Sequence, residues 1–154
     1  QFISLNPYRI IVSGRIKHFI SAFGEHVIAK EVEYAMQEAI QKTGAQVQEF
    51  TVAPQITPPK KELPYHEWFV EFVKKPADMG EFAGHLDKAL QAQNSYYFDL
   101  IEGKVLQPLK VTPVRKGGFQ AYMKSVGKLG GQNKVQRLSN DRKVAEGLEK
   151  LQQG

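Results

Sequence analysis

Apolar positions along this chain follow two periods, and the switch between them lays out the fold. Val32, Ala35, Met36, Ala39 and Ile40 recur at helical spacing, which predicts a helix from Glu31, with Gly44 as its left-handed stop. Met79, Phe82, Ala83, Leu86, Ala89 and Leu90 repeat the stripe. Asp78 and Glu81 precede them at the spacing of an N-cap and its capping-box partner. Val144, Leu148 and Leu151 predict a short last helix capped by Ser139 or Asn140. Elsewhere the period shortens. QVQEFTVA (46–53) and HEWFVEFVKK (66–75) read as strands. The second carries Trp68, Val70 and Phe72 on one face and Phe69, Glu71 and Val73 on the other. A strand this apolar on both faces belongs at the centre of a sheet. LQPLKVTPV (106–114) predicts another strand, interrupted near Pro113, and FQAYMKSVG (119–127) one or two helical turns closed by Gly127. NSYYFDLIEGKVL (94–106) is open between a short helix and a turn.

The connections carry their own signals. PYRIIVSGRIKHFI (7–20) holds two β-branched runs around Ser13-Gly14 and predicts a tight hairpin. SAFGEHV (21–27) reads as a loop leading into the first helix. PQITPPKKELP (54–64) has four prolines in eleven residues and must be irregular, because proline lacks the donor a central strand needs. The sum is an α+β fold: a two-layer sandwich with a small central sheet, an N-terminal hairpin and flanking helices. The 154 residues form one domain, without an internal repeat or a flexible linker.

Composition narrows the classes. With 42% hydrophobic and 24% charged residues the chain is globular rather than disordered. The absence of cysteine excludes disulfides and thiolate metal sites, and suits a reducing, cytoplasmic setting. No apolar run approaches the length of a membrane span. A chain starting at Gln1 reads as a cut end. Charge is skewed: residues 104–154 hold 11 of the 21 Lys and Arg but only 3 of the 16 Asp and Glu. A phosphate-bearing partner is one reading of that excess, and plain solubilising charge is the other.

Catalytic signatures are sparse. His18, His26, His66 and His85 fall in different elements, with no HExxH, so no metal site is expected. No GxSxG is present. His66-Glu67 reads as a structural polar pair at a strand start more readily than as an acid–base pair. The aromatic residues are not interleaved with basic ones, as a surface that stacks single-stranded nucleic acid would require. GKLGGQNK (127–134) lacks the order of a phosphate-binding P-loop. It remains a glycine-marked cationic loop in which Lys128 and Lys134 can reach an anion, and Arg137 can anchor the loop or meet phosphate.

VSGRIKHFISAFGEHV with KEVEYAMQEA, then TVAPQ, HEWFVEF, QNSYYFDL and KLGGQNKVQRLSND, resemble in that order the C-terminal domain of the auxin-responsive-promoter family. These are acyl acid-amido synthetases of the acyl-adenylate-forming superfamily, and the similarity runs over nearly all of the chain. The resemblance implies an ATP-dependent ligase, using ATP with Mg2+, that adenylates a small carboxylic acid and transfers the acyl group to an amine. Relatives pass it to coenzyme A instead. It implies that residues 1–154 are the mobile cap of a large N-terminal adenylation domain, inactive alone and holding no tightly bound cofactor. Lys134 matches the adenylation lysine, with Lys128 as a second candidate. Arg15 and Arg137 match cofactor-contacting positions, although Gln136 stands where plant members usually have proline. Ser21, Phe23, Gly24, Glu25 and His26 match the loop that nears the site for the second half-reaction. No specific nucleic-acid or membrane partner is implied; a basic nucleic-acid-binding module is the rival of a different class.

Overall fold

The computed structural model describes residues 19–20, 22–58, 61–127 and 135–153. The hairpin expected around Ser13-Gly14 has its turn outside them. Strands β1 (Phe19–Ile20) and β2 (Val27–Ile28) form a short antiparallel pair. Helix α1 (Ala29–Thr43) follows, then strands β3 (Gln46–Gln55) and β4 (Tyr65–Lys74), helices α2 (Met79–Gln93) and α3 (Ser95–Glu102), strand β5 (Lys110–Val114), and helices α4 (Gly118–Ser125) and α5 (Lys143–Gln153). The main sheet has the order β3-β4-β5, with β3 antiparallel and β5 parallel to β4. A parallel neighbour needs a crossover, and α2 with α3 supplies it.

Strand β4 is central, as its apolar run predicts. Trp68, Val70 and Phe72 face a core shared with Val32, Met36, Phe82, Leu86, Leu90 and Tyr97 of α1–α3. Phe50 stacks on Trp68 at 5.7 Å between centroids. The alternate residue Phe69 joins Phe119, Met123, Ala145 and Leu148 in a smaller core under α4 and α5. The α+β sandwich therefore has its main helical layer on one face and a helical pair behind the sheet.

Local chemistry sets the ends of the elements. Gly44 stops α1 at φ 74°, and Gly127 follows α4 at φ 73°. Asn94 caps α3 by accepting from the Tyr97 amide, so the stretch left open in sequence is a helix. Two expectations shift. Strand β3 runs through Pro54 to Gln55, because the outer side of that strand needs no donor there. Its covering segment instead pairs at Val52, whose amide donates to the Arg137 carbonyl at 2.8 Å while Ser139 N donates to Val52 O at 3.1 Å. That pairing holds Ser139 short of the last helix, where Asp141 accepts from the Lys143 amide at 3.1 Å.

Asp78 accepts from the Glu81 amide at 3.0 Å, as its spacing predicts. Loss of such a cap costs about 1 kcal/mol, against about 2–5 kcal/mol for emptying a packed leucine site. Packing thus sets the position of α2 and the cap trims its start. Urea denaturation is expected to show Asp78→Ala as a loss near the first figure and Leu86→Ala as a loss within the second.

Candidate functional site

The loop from Phe23 to Ile28 alternates between buried and exposed positions. Glu25 and Val27 are buried, while Gly24, His26 and Ile28 are exposed. Gly24 has φ 89° and His26 φ 47°. The left-handed region costs a residue with a Cβ about 1–2 kcal/mol, so something must hold His26 there. The Glu25 carboxylate does much of that. One oxygen accepts from the Phe23 amide at 2.8 Å, and the other meets His66 Nε2 at 2.6 Å with both side chains fully buried. Because the carboxylate accepts, the shared proton belongs to Nε2. Breaking a buried pair of this kind costs about 3–5 kcal/mol, more than the strain at His26.

A second tie comes from the junction of α2 and α3. Asn94 is buried, and its amide nitrogen donates to the His26 carbonyl at 3.2 Å and to Glu31 Oε1 at 3.0 Å. Glu31 in turn accepts from the Ile28 amide at 3.0 Å, satisfying the start of α1. Beneath lies a buried platform. The Tyr97 ring packs 5.2 Å from that of His66, and its hydroxyl donates to Asp87 at 2.5 Å. Asp87 also accepts from the Leu109 amide and from Gln91. Burial, then the Asp87 charge and hydrogen bond, push the Tyr97 hydroxyl well above the usual phenol range, so it stays a donor. An open cleft of about 770 Å³ lies over this frame, lined by Gly24, His26, Ile28, Glu31, Asn94 and Tyr96 among others.

The second region is the segment after residue 134. Val135 is buried under α4 and α5, and the Thr51 hydroxyl donates to the Gln136 carbonyl. Arg137 is engaged from three sides. Its Nε donates to Glu33 at 2.6 Å, its Nη1 to Glu49 and to the Phe50 carbonyl, and its guanidinium lies 4.3 Å from the Phe50 ring centroid. Burial works to lower its pKa, and the bonds to Glu33 and Glu49 outweigh it, so the guanidinium stays charged. Arg137 thus anchors this segment to α1 and β3.

Of the residues singled out from sequence, Phe23, Gly24, Glu25 and His26 come together beside the cleft, and Arg137 stands on the outer edge of β3. Arg15, Ser21, Lys128 and Lys134 lie outside the described residues. Among the described residues no group of three or more His, Asp or Glu side chains could hold a metal ion. Nor is any described helix long and apolar enough to cross a membrane. Sequence reasoning separated His66 from Glu25, and missed Asn94 and the Tyr97–Asp87 pair. The one signal was SAFGEH itself, whose glycine and charged neighbours marked the loop but not its partner 41 residues away.

Burial raises the Glu25 pKa, but the His66 hydrogen bond and charge and the Glu25 and Phe23 amides outweigh it, leaving the carboxyl below its ordinary value. A carboxyl depressed on folding stabilises the protein above its unfolded pKa, and that contribution fades as pH falls through the folded value. The stability gap between wild type and Glu25→Gln should therefore be widest at neutral pH and shrink below the carboxylate range. Urea titrations from pH 7 to pH 3 measure it.

Residues 30–143 match the family described as the GH3 family C-terminal domain. No curated protein matches the chain. One solved structure similar to it is a GH3.15 acyl acid amido synthetase, with a TM-score of 0.68 at 16% identity over 88% of this chain. Another is AtGH3.15 acyl acid amido synthetase in complex with 2,4-DB, with a TM-score of 0.66 at 15% identity over 87% of this chain. The chain spans about a quarter of the length of each, 26% and 25%. At such identities the likeness concerns fold. The family match covers most of the chain and agrees with the resemblance carried by its motifs: this chain belongs to the GH3 family, as its C-terminal domain.

Proposed function

We propose that the domain is the mobile cap of an ATP-dependent ligase. The enzyme joins a carboxylic acid to AMP with release of pyrophosphate, then lets an amine displace AMP to form an amide. The family match over residues 30–143 carries this reading, and the names of the similar structures agree with it. The larger domain supplies the ATP, Mg2+ and acid pockets, and this one adds a cation at closure. Lys134 is that cation. It directly precedes a segment fastened to β3 by backbone pairing at Val52, by Thr51 and by Arg137. A lysine next in sequence to so fixed a support suits the charge developing on the α-phosphate.

The charge skew loses force as an argument for nucleic acid. Arg137, Arg142 and Lys110 are each paired with carboxylates, Arg142 with Glu67 and Glu149 and Lys110 with Glu62. These pairs spend on the domain itself part of the positive charge that a phosphate backbone would need.

In the polypeptide that carries the adenylating domain, Lys134→Ala should lower carboxylate-dependent ATP–pyrophosphate exchange by at least about tenfold, with no change in unfolding midpoint. Loss with Lys128→Ala alone would move the role to that residue. Absence of exchange with every acid in a broad panel, despite ATP binding, would sink the ligase reading.

A further inference from the structure

Glu25 and His66 form a fully buried hydrogen bond, and burying a carboxylate has a cost in lost hydration that is high for a contact that merely closes the end of a strand. Its geometry shows what it gains. Glu25 sits between Gly24 and His26, two residues in the left-handed region, and fastens the loop from within. Asn94 fastens it from the other side through the His26 carbonyl. Val27, buried in the main core, fixes the chain beyond. His26 is left exposed on the wall of the cleft shared with Asn94, Ser95 and Tyr96. A loop this constrained, beside an open cleft, is a preorganised contact surface.

We infer that Glu25, His66 and Asn94 are positioning residues for acyl transfer, holding the 23–26 loop in the shape in which it lines the path of the amine acceptor. This rests on the ligase reading above. In that step the amine lone pair forms the C–N bond and the C–O bond to AMP breaks, its electron pair leaving on the phosphate. One N–H proton is lost to water. The three residues touch neither amine nor adenylate; they act through the loop backbone. The first half-reaction, which uses the Lys134 region, does not depend on them.

The test separates the half-reactions in the full polypeptide. Exchange of pyrophosphate into ATP reports adenylation, and amide formation in a single turnover from preformed acyl-adenylate reports transfer. His66→Leu is expected to slow transfer by at least about tenfold, the scale of a small misplacement near a reacting centre, and to leave exchange within about twofold of wild type. His66→Gln, whose amide can still donate to Glu25, should recover most of the transfer rate. Asn94→Ser retains an oxygen to cap α3 but loses the reach to His26, and is expected to slow transfer selectively. It decides the matter should His66→Leu fail to fold. Transfer and exchange that both stay at wild-type rates in folded Asn94→Ser, or that fall there in parallel, would overturn the inference while leaving the ligase reading intact. A wild-type enzyme that exchanges with no acid would instead remove the reading on which it rests.

Discussion

Strand β4 has no free face, and that constraint organises the molecule. A strand covered on both sides is pressed to find partners for the polar groups it carries, since burying one unpaired costs more than most single contacts contribute, and His66 Nδ1 and Trp68 Nε1 are buried without one. Three of its residues are polar and buried or nearly so, and each recruits a different peripheral segment. His66, on the face of Trp68 and Val70, takes Glu25 from the loop before α1. Glu67, on the opposite face, takes Thr112 of β5 and Arg142 at the head of α5. Glu71 accepts from the amides of Gly117 and Phe119, where α4 begins. The strand thereby dictates where three loops dock, and hydrophobic burial only then fills the space between them.

The same logic accounts for Arg137 and Arg142 in the basic C-terminal third. Arg137 ties α1 to β3, and Arg142 ties the start of α5 to Glu67 of the sheet and to Glu149, about two turns along the same helix face. Arginine suits both tasks, because its planar fork serves several acceptors at once and it can also lie on an aromatic ring, as over Phe50. Lysine, a mobile point charge, suits work on a ligand, which is why the proposed chemistry falls to Lys134 and not to its better-connected neighbour.

Periodic features were legible in the sequence, and features built from distant residues were not. The stripes of α1 and α2, the Gly44 stop, the Asp78 cap and the central place of β4 follow from local spacing, and the structure has them. Pro54 misled because the rule against proline in strands applies where a donor is required, and the neighbouring segment asks for none at that position. Ser139 misled as a cap because its backbone is committed to Val52. Phe23 to His26 were recognised as a unit through their resemblance to a family motif. What holds them was hidden, since a histidine at a strand start gives no sign of a carboxylate 41 residues earlier. Arg137 was left open between anchor and phosphate contact, and its partners lie 104 and 88 residues away, beyond any local pattern.

The two regions assigned to the two half-reactions hang from one rigid ladder. The segment after Lys134 attaches to β3 at Val52, which pairs with Trp68, and the 23–26 loop attaches at His66, which pairs with Pro54. Those positions are two residues apart along the strands, about 7 Å. One attachment is on the outer edge of β3, and the other is on the face covered by α1 and α2. In the proposed reading a domain built this way need not refold to exchange one surface for the other, because the ladder between them is bonded along its length and packed on both sides. The strain at His26 is then not a defect that the fold tolerates. It is sustained by a carboxylate–histidine hydrogen bond with both side chains fully buried, at the loop proposed to serve acyl transfer.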